Sequence, residues 1–246
     1  CLLVHDNGLV KTVNFQEGKY VGDPINAVKI FNEKEVDELI VLDIDATVRG
    51  ADPSYKLIGQ LAVECRMPLC YGGAVTTVAQ AARIVSLGVE KISVNHAVIS
   101  RPGLLRKLAD QLGSQSVVAC IDVKKHWSGR YRVFDSANGK LTDKDPLEHA
   151  DELVAMGAGE VLINSVDRDG TQLGYDLELV RRFTTRLEVP VIACGGAWTT
   201  EHLRAVVKDA GASAAAAGSM FVFQGPHRAV LISYPPYAEL VRLLGV

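Results

Sequence analysis

Leu69-Cys70-Tyr71-Gly72-Gly73-Ala74 and Ile192-Ala193-Cys194-Gly195-Gly196-Ala197 carry the same signal, a hydrophobic run that ends on a glycine pair. They lie about 120 residues apart, roughly half of the 246-residue chain, and self-similarity at a fixed spacing outweighs any single motif. Other pairs keep nearly the same offset. Leu39-Ile40-Val41-Leu42-Asp43-Ile44-Asp45 answers Val161-Leu162-Ile163-Asn164-Ser165-Val166-Asp167, and Lys91-Ile92-Ser93-Val94-Asn95 answers Ala214-Ala215-Ala216-Ala217-Gly218-Ser219.

Around these pairs, apolar runs alternate with amphipathic segments. Strands are expected near 1–4, 39–43, 68–71, 91–94, 116–121, 160–164, 190–193 and 213–217. Most are continuous apolar runs, as buried parallel strands should be. Helices are expected from Asp23-Pro24 onward and near 76–87, 98–112, 145–157 and 177–187. Asp23 can cap free N–H groups and Pro24 suits the first helical position. Thr200, before Glu201-His202-Leu203, marks another start. Eight strands alternating with helices mean a (β/α)8 TIM barrel or a doubly wound open sheet. The repeat favours the barrel, as one α/β domain over 1–246 built from two fused half-barrels, about 1–115 and 116–246.

A formal net charge of -3 gives no bulk electrostatic reason to expect nucleic acid or an anionic membrane as partner. No apolar run is long enough to span a bilayer. The chain starts at Cys1-Leu2-Leu3-Val4, without an initiator Met, and reads as mid-strand, so a short N-terminal piece is expected to precede it. No basic-then-apolar leader is visible, which makes a cytoplasmic protein the expectation. Five cysteines without CxxC spacing argue against a disulfide framework and a zinc site, so neither a metal nor another cofactor is expected.

In a barrel of this type, functional groups gather at the C-terminal ends of the strands. The repeat places Gly72-Gly73, Asn95, Gly195-Gly196 and Gly218-Ser219 there. Glycine admits close backbone approach, and N–H groups at helix starts attract phosphate. Two such sites suggest a ligand with a phosphate at each end; the competing reading, glycines that only make tight βα turns, is weakened by the two matching copies. Asp122 ends the fifth strand, and the matching residue on the first strand is Leu3. An acid at that position could have worked with Asp122 as a general acid–base pair, but leucine transfers no proton. Asp122 also reads as a rim carboxylate of structural use. Asp167-Arg168-Asp169-Gly170-Thr171 suits a tight loop or a ligand contact through Asp169. Lys11, in the loop after the first strand, is either a solvated lysine or one that closes over an anion.

These residues resemble the cyclase subunit (HisF) family of imidazole glycerol phosphate synthase over nearly the whole chain. The matches include Val10-Lys11-Thr12-Val13-Asn14-Phe15 with Gly22-Asp23-Pro24, Asp37-Glu38-Leu39, Lys91-Ile92-Ser93-Val94-Asn95, Gly113-Ser114-Gln115-Ser116-Val117-Val118 and Gly157-Ala158-Gly159-Glu160. The run Asp167–Thr171, followed by Gly174-Tyr175-Asp176, is highly specific. The resemblance implies that a glutaminase (HisH-like) partner docks at the bottom of the barrel and releases ammonia. Ammonia then crosses the barrel core to a bisphosphate ribonucleotide at the top. It implies Glu38, Lys91 and Glu160 as members of a charged gate at the channel entrance; a fourth member, an arginine, would precede Cys1. It implies Lys11, Asp122 and Asp169 as catalytic residues. Gly72, Gly73, Asn95, Gly170, Gly195, Gly196, Gly218 and Ser219 are implied as phosphate contacts.

The chain departs from that pattern at Leu3, at Ala74 in a phosphate-loop glycine position, at Asn164 and Cys194 in place of small hydroxyl residues, and at His96 in a threonine position. A branch of the family that supplies ammonia to a third protein, which amidates a bacterial surface sugar, resembles the chain at Cys1-Leu2-Leu3. It also resembles Tyr20-Val21-Gly22-Asp23-Pro24-Ile25-Asn26-Ala27 and Gly225-Pro226-His227-Arg228-Ala229-Val230. That branch explains a lost acid beside a retained channel. An active histidine-pathway cyclase and a non-catalytic scaffold that activates a glutaminase are the competing readings.

Overall fold

The computed structural model describes residues 1–16, 18–225 and 227–245; Pro226, within the last of those matching runs, lies outside them. Eight strands stand side by side in chain order, each parallel to the next. They are β1 (Leu2–His5), β2 (Leu39–Asp43), β3 (Leu69–Gly72), β4 (Lys91–Val94), β5 (Val117–Lys125), β6 (Glu160–Ser165), β7 (Val191–Cys194) and β8 (Ala214–Ala215). The ends of this curled sheet meet where the Cys1 nitrogen donates to the Ala217 carbonyl, 2.8 Å away. All eight expected barrel strands are present, and the fold is the α/β TIM-barrel type.

Residue alternation divides the strands into two faces. On β5, Val117, Ala119, Ile121 and Val123 join the main core beneath the helices, while Val118 and Cys120 face the interior with Ile40, Cys70, Leu162 and Ile192. Both faces of the central strands are therefore buried, which is why most of the strands read as unbroken apolar runs. The helices include α1 (Pro24–Glu33), α2 (Tyr55–Glu64), α3 (Val78–Ser86), α4 (His96–Ser100), α5 (Gly103–Leu112), α6 (Pro146–Ala155), α7 (Leu177–Thr184), α8 (Thr200–Arg204), α9 (Ser219–Val222) and α10 (Tyr237–Leu244). Asp23 caps α1 as its sequence predicts, accepting from the Asn26 N–H at 2.8 Å.

Several boundaries differ from expectation. The helix expected over 98–112 is two helices, α4 and α5, with Arg101-Pro102 between them; proline's missing N–H and fixed φ break the run. α8 does start at Thr200 as expected, and its cap is the residue before, Thr199, whose hydroxyl accepts from the His202 N–H. β5 runs four residues past the expected end at 121, to Lys125, because it pairs antiparallel with an arm at Tyr131–Asp135. Lys11 does not lie in a loop. It ends the arm Gly8–Lys11, which pairs antiparallel with β1. Asp6 and Asn7 make that turn with φ of 48° and 61°, the positive values a two-residue hairpin requires.

Strand register recurs across the two halves of the sheet, but one of the sequence matches slips by a residue. Strand pairing aligns Leu42 with Gly72 and Asn164 with Cys194, an offset of 122 (42 to 164, 72 to 194). Gly73 thus corresponds to Gly195, and Ala74 to Gly196. All four carry positive φ, at 124°, 96°, 54° and 100° respectively. Matching the two glycine pairs as letters instead aligns Gly72 with Gly195 and hides this equivalence.

Candidate active site

A cavity of about 350 Å³ opens among the C-terminal ends of the strands. All eleven residues singled out as catalytic or phosphate-binding line it: Lys11, Gly72, Gly73, Asn95, Asp122, Asp169, Gly170, Gly195, Gly196, Gly218 and Ser219. Leu3 lines it too, beside Leu42, its neighbour on β2.

Asp122 is buried and faces inward on the same register row as Asn164. Asn95 donates to one of its oxygens at 2.7 Å and Asn164 to the other at 3.3 Å. Burial pushes the Asp122 carboxyl up to about 6, against the pull of the Ser136, Asn95 and Asn164 hydrogen bonds. A carboxyl so poised can accept and return a proton near neutrality. Asn95 spends its amide on Asp122, so this side chain supports the acid directly. The Asn164 Oδ1 is buried without a partner among the described residues, leaving an acceptor for a ligand N–H or O–H.

Lys11 is also buried. Its Nζ donates to the Cys1 carbonyl at 2.6 Å, and burial lowers its ammonium to about 8 despite the nearby Asp169. A Cβ on Gly218 would sit 2.4 Å from that Nζ, so the missing side chain makes room for the ammonium beside Ser219. Asp169 accepts from the Thr12 hydroxyl at 2.9 Å, and burial raises its carboxyl. Gly170, at φ 68°, lets the Thr12 carbonyl pack where a Cβ would be 2.2 Å away. The arrangement gathers an ammonium, two carboxyls and glycine-lined backbone on one cavity, suited to an anionic ligand that exchanges protons.

At the other ends of the strands stands an ion-pair cluster. Lys91, the first residue of β4, contacts Glu160, the first of β6, at 2.8 Å and Glu38 at 3.1 Å. β4 and β6 are not sheet neighbours, so Lys91 and Glu160 meet across the barrel interior. Burial disfavours the Lys91 charge, yet the Glu160 and Glu38 hydrogen bonds outweigh it and raise the ammonium. Glu160, Leu162 and Asn164 share one face of β6 and link this cluster to the cavity over about 13 Å at 3.3 Å per residue.

The histidine biosynthesis protein family matches residues 1–227. Imidazole glycerol phosphate synthase subunit hisF2 of Pseudomonas aeruginosa, a provisional name, is 53% identical over 240 residues, covering 98% of this chain and 96% of the relative. Subunit hisF3 of Vibrio vulnificus, also provisionally named, is 48% identical over 244 residues, with 99% and 94% covered. Imidazole glycerol phosphate synthase subunit HisF of Myxococcus xanthus is 41% identical over 215 residues, with 87% and 85% covered. The chain belongs to the HisF family. As a HisF-like synthase subunit it carries that family's fold. No helix among the described residues is long and apolar enough to cross a membrane.

Sequence reading missed two contributors to the site. The hairpin after β5 brings Ser136 and Ala137 to the cavity wall, and its Asp135 reaches His96 at 2.8 Å. The turn residues Ser128-Gly129 between Lys125 and Tyr131 were the available signal. His5, Asp6 and Asp45 also come together near the rim, but Arg49 already contacts both carboxylates, at 2.5 and 3.2 Å.

Proposed function

We propose that this chain is the cytoplasmic synthase subunit of a glutaminase–synthase pair. A HisH-like glutaminase docks against the Glu38–Lys91–Glu160 end and releases ammonia there. Ammonia, small and neutral, passes between the aliphatic and thiol side chains of the interior to the cavity, where a phosphorylated ligand binds. Its destination is the amidation of a bacterial surface-polysaccharide sugar, through a third amidotransferase protein. The observation that supports this reading is the ion cluster of Glu38, Lys91 and Glu160 at one end, with Leu3 and Asp122 lining one cavity at the other. A channel is retained while half of the acid–base pair is absent, and loss of one cooperating acid costs about 10²–10⁴ in rate.

Coupled assays with the cognate glutaminase test the first half of the reading. Lys91→Ala should cut glutamine-dependent ammonia transfer at least tenfold; unchanged transfer removes the channel. Ammonium salt with the histidine-pathway bisphosphate tests the second half. Turnover by the unaltered chain at a cyclase's ordinary rate would establish the other reading, an active imidazole glycerol phosphate synthase cyclase. What favours that alternative is Asp122, kept inward and poised near neutrality.

A further inference from the structure

His96 and Asp135 sit outside every role assigned above. His96 is the first residue of α4, and its ring lines the cavity. Nδ1 lies 2.8 Å from the Asp135 carboxylate. Asp135 ends the hairpin arm Tyr131–Asp135 and accepts from the Asn138 side chain at 2.7 Å and the Asn138 backbone N–H at 3.3 Å. Burial works against the Asp135 charge, but Asn138 and His96 donate to it and hold the carboxyl below its ordinary range. An ionised carboxylate on Nδ1 keeps the proton there and orients the ring, which leaves Nε2 as a free acceptor. The exposures separate the two groups: the Asp135 side chain is 11% exposed and the His96 side chain 36%. A pair that only tied the hairpin to α4 would have no need to present the ring to the cavity. At the equivalent place in the other half, the first residue of α9, stands Ser219, which does not titrate near neutrality.

We propose that His96 and Asp135 form an acid–base dyad on the cavity, in which His96 Nε2 takes a proton from a nitrogen or hydroxyl nucleophile of the phosphorylated ligand. This rests on the cavity being the ligand site, and not on the ammonia channel. The ligand's N–H or O–H bond breaks, its electron pair stays on the nucleophile, and the proton becomes the imidazolium N–H. Asp135 stays ionised and offsets the new charge. Asn95 stands between the two proton-handling groups, next to His96 in sequence and bonded to Asp122 in space. The other ionisable groups on the cavity are Asp43 on β2, Asp122 on β5, Asp169 after β6, Lys11 on the first hairpin, and the thiols of Cys1, Cys120 and Cys194.

Nitrogen-15 NMR of the histidine rings in the full chain, with His96→Gln to assign the signals, tests the dyad. The neutral His96 ring should be the Nδ1–H tautomer. In Asp135→Asn that preference should weaken and the Nε2–H tautomer should gain population. Added inorganic phosphate should move the Nε2 resonance more than the Nδ1 resonance. A neutral Nε2–H tautomer in the unaltered chain, an unchanged tautomer ratio in Asp135→Asn, or an Nε2 signal indifferent to phosphate would overturn the proposal. If Asp135→Asn does not fold, Asn138→Ala serves. It removes a donor from the Asp135 carboxylate, which should strengthen its bond to His96 and move the Nδ1–H proton signal downfield, while an upfield move or no change counts against the dyad. None of these readings depends on ammonia transfer, so the channel and the dyad can fail separately.

Discussion

On the N-terminal side of the cavity stand Leu3, Leu42, Thr47 and Ala74; at the matching places on the other side stand Asp122, Asn164, Asp169 and Gly196. Backbone geometry is shared. Strand pairing keeps the same register, and both glycine turns pack under the neighbouring strand, Gly73 over Asp43 and Gly195 over Ser165. Chemistry is not shared. One half offers branched apolar side chains and an alanine whose N–H is already taken by the Thr47 hydroxyl at 2.9 Å. Its partner offers carboxyls, an amide with an unsatisfied oxygen, and paired glycines. Two halves of one sheet can hold their backbone constant while one rim changes its chemistry, because the strand ladders are made by backbone groups that every residue but proline carries.

The largest expected effect comes from placing an acid at Leu3, on the same rim as Asp122. Leu3→Asp should raise turnover of the histidine-pathway bisphosphate with ammonium by about 10²–10⁴, the usual contribution of a positioned acid or base. No gain in a steady-state assay would mean that the two rims differ by more than one carboxyl. Gly196→Ala should cost about 4 kcal/mol in a urea titration. Its φ is 100°, and a Cβ there would meet the Gly174 carbonyl at 2.2 Å.

Burial of Asp122 predicts a pH signature of only slightly smaller size. Its carboxyl is raised from 3.8 to about 6, so between those values the folded chain holds a proton that the unfolded chain has released. Stability from this group is therefore fully present below pH 4 and falls by about 3 kcal/mol as pH rises to 6. Urea midpoints measured across that window should show the fall, and Asp122→Asn should remove it; the same slope in both proteins would refute the assignment. The smallest effect belongs to Ala74→Gly. Relief of an alanine at φ 54° nearly offsets glycine's greater freedom in the unfolded chain, so the urea midpoint should move by less than about 1 kcal/mol. A large loss there would show that Ala74 packs as part of the rim and is not merely tolerated at it.

The eight barrel strands were legible because parallel strands buried on both faces read as apolar runs, and the repeat supplied the closure. The first hairpin was missed although Asp6-Asn7-Gly8 is a turn signal, since arms of four residues leave too little alternation to see. In the sequence Lys11 reads as a loop residue, and its burial under Cys1 and against Gly218 depends on that hairpin. His96 was noticed only as a departure, because its partner Asp135 lies 39 residues away and reaches it through a turn of the chain.

Sequence alone determined the barrel, the doubled glycine turns, Asp122 at the end of its strand and Leu3 at the matching place on the first strand, since these follow from residue type, spacing and a period of two. Tertiary structure decided the true register of the repeat, the depth of Lys11, the amides that clasp Asp122 and the meeting of His96 with Asp135. Those depend on which segments lie side by side once the sheet curls, and burial then sets the charge that each group can carry.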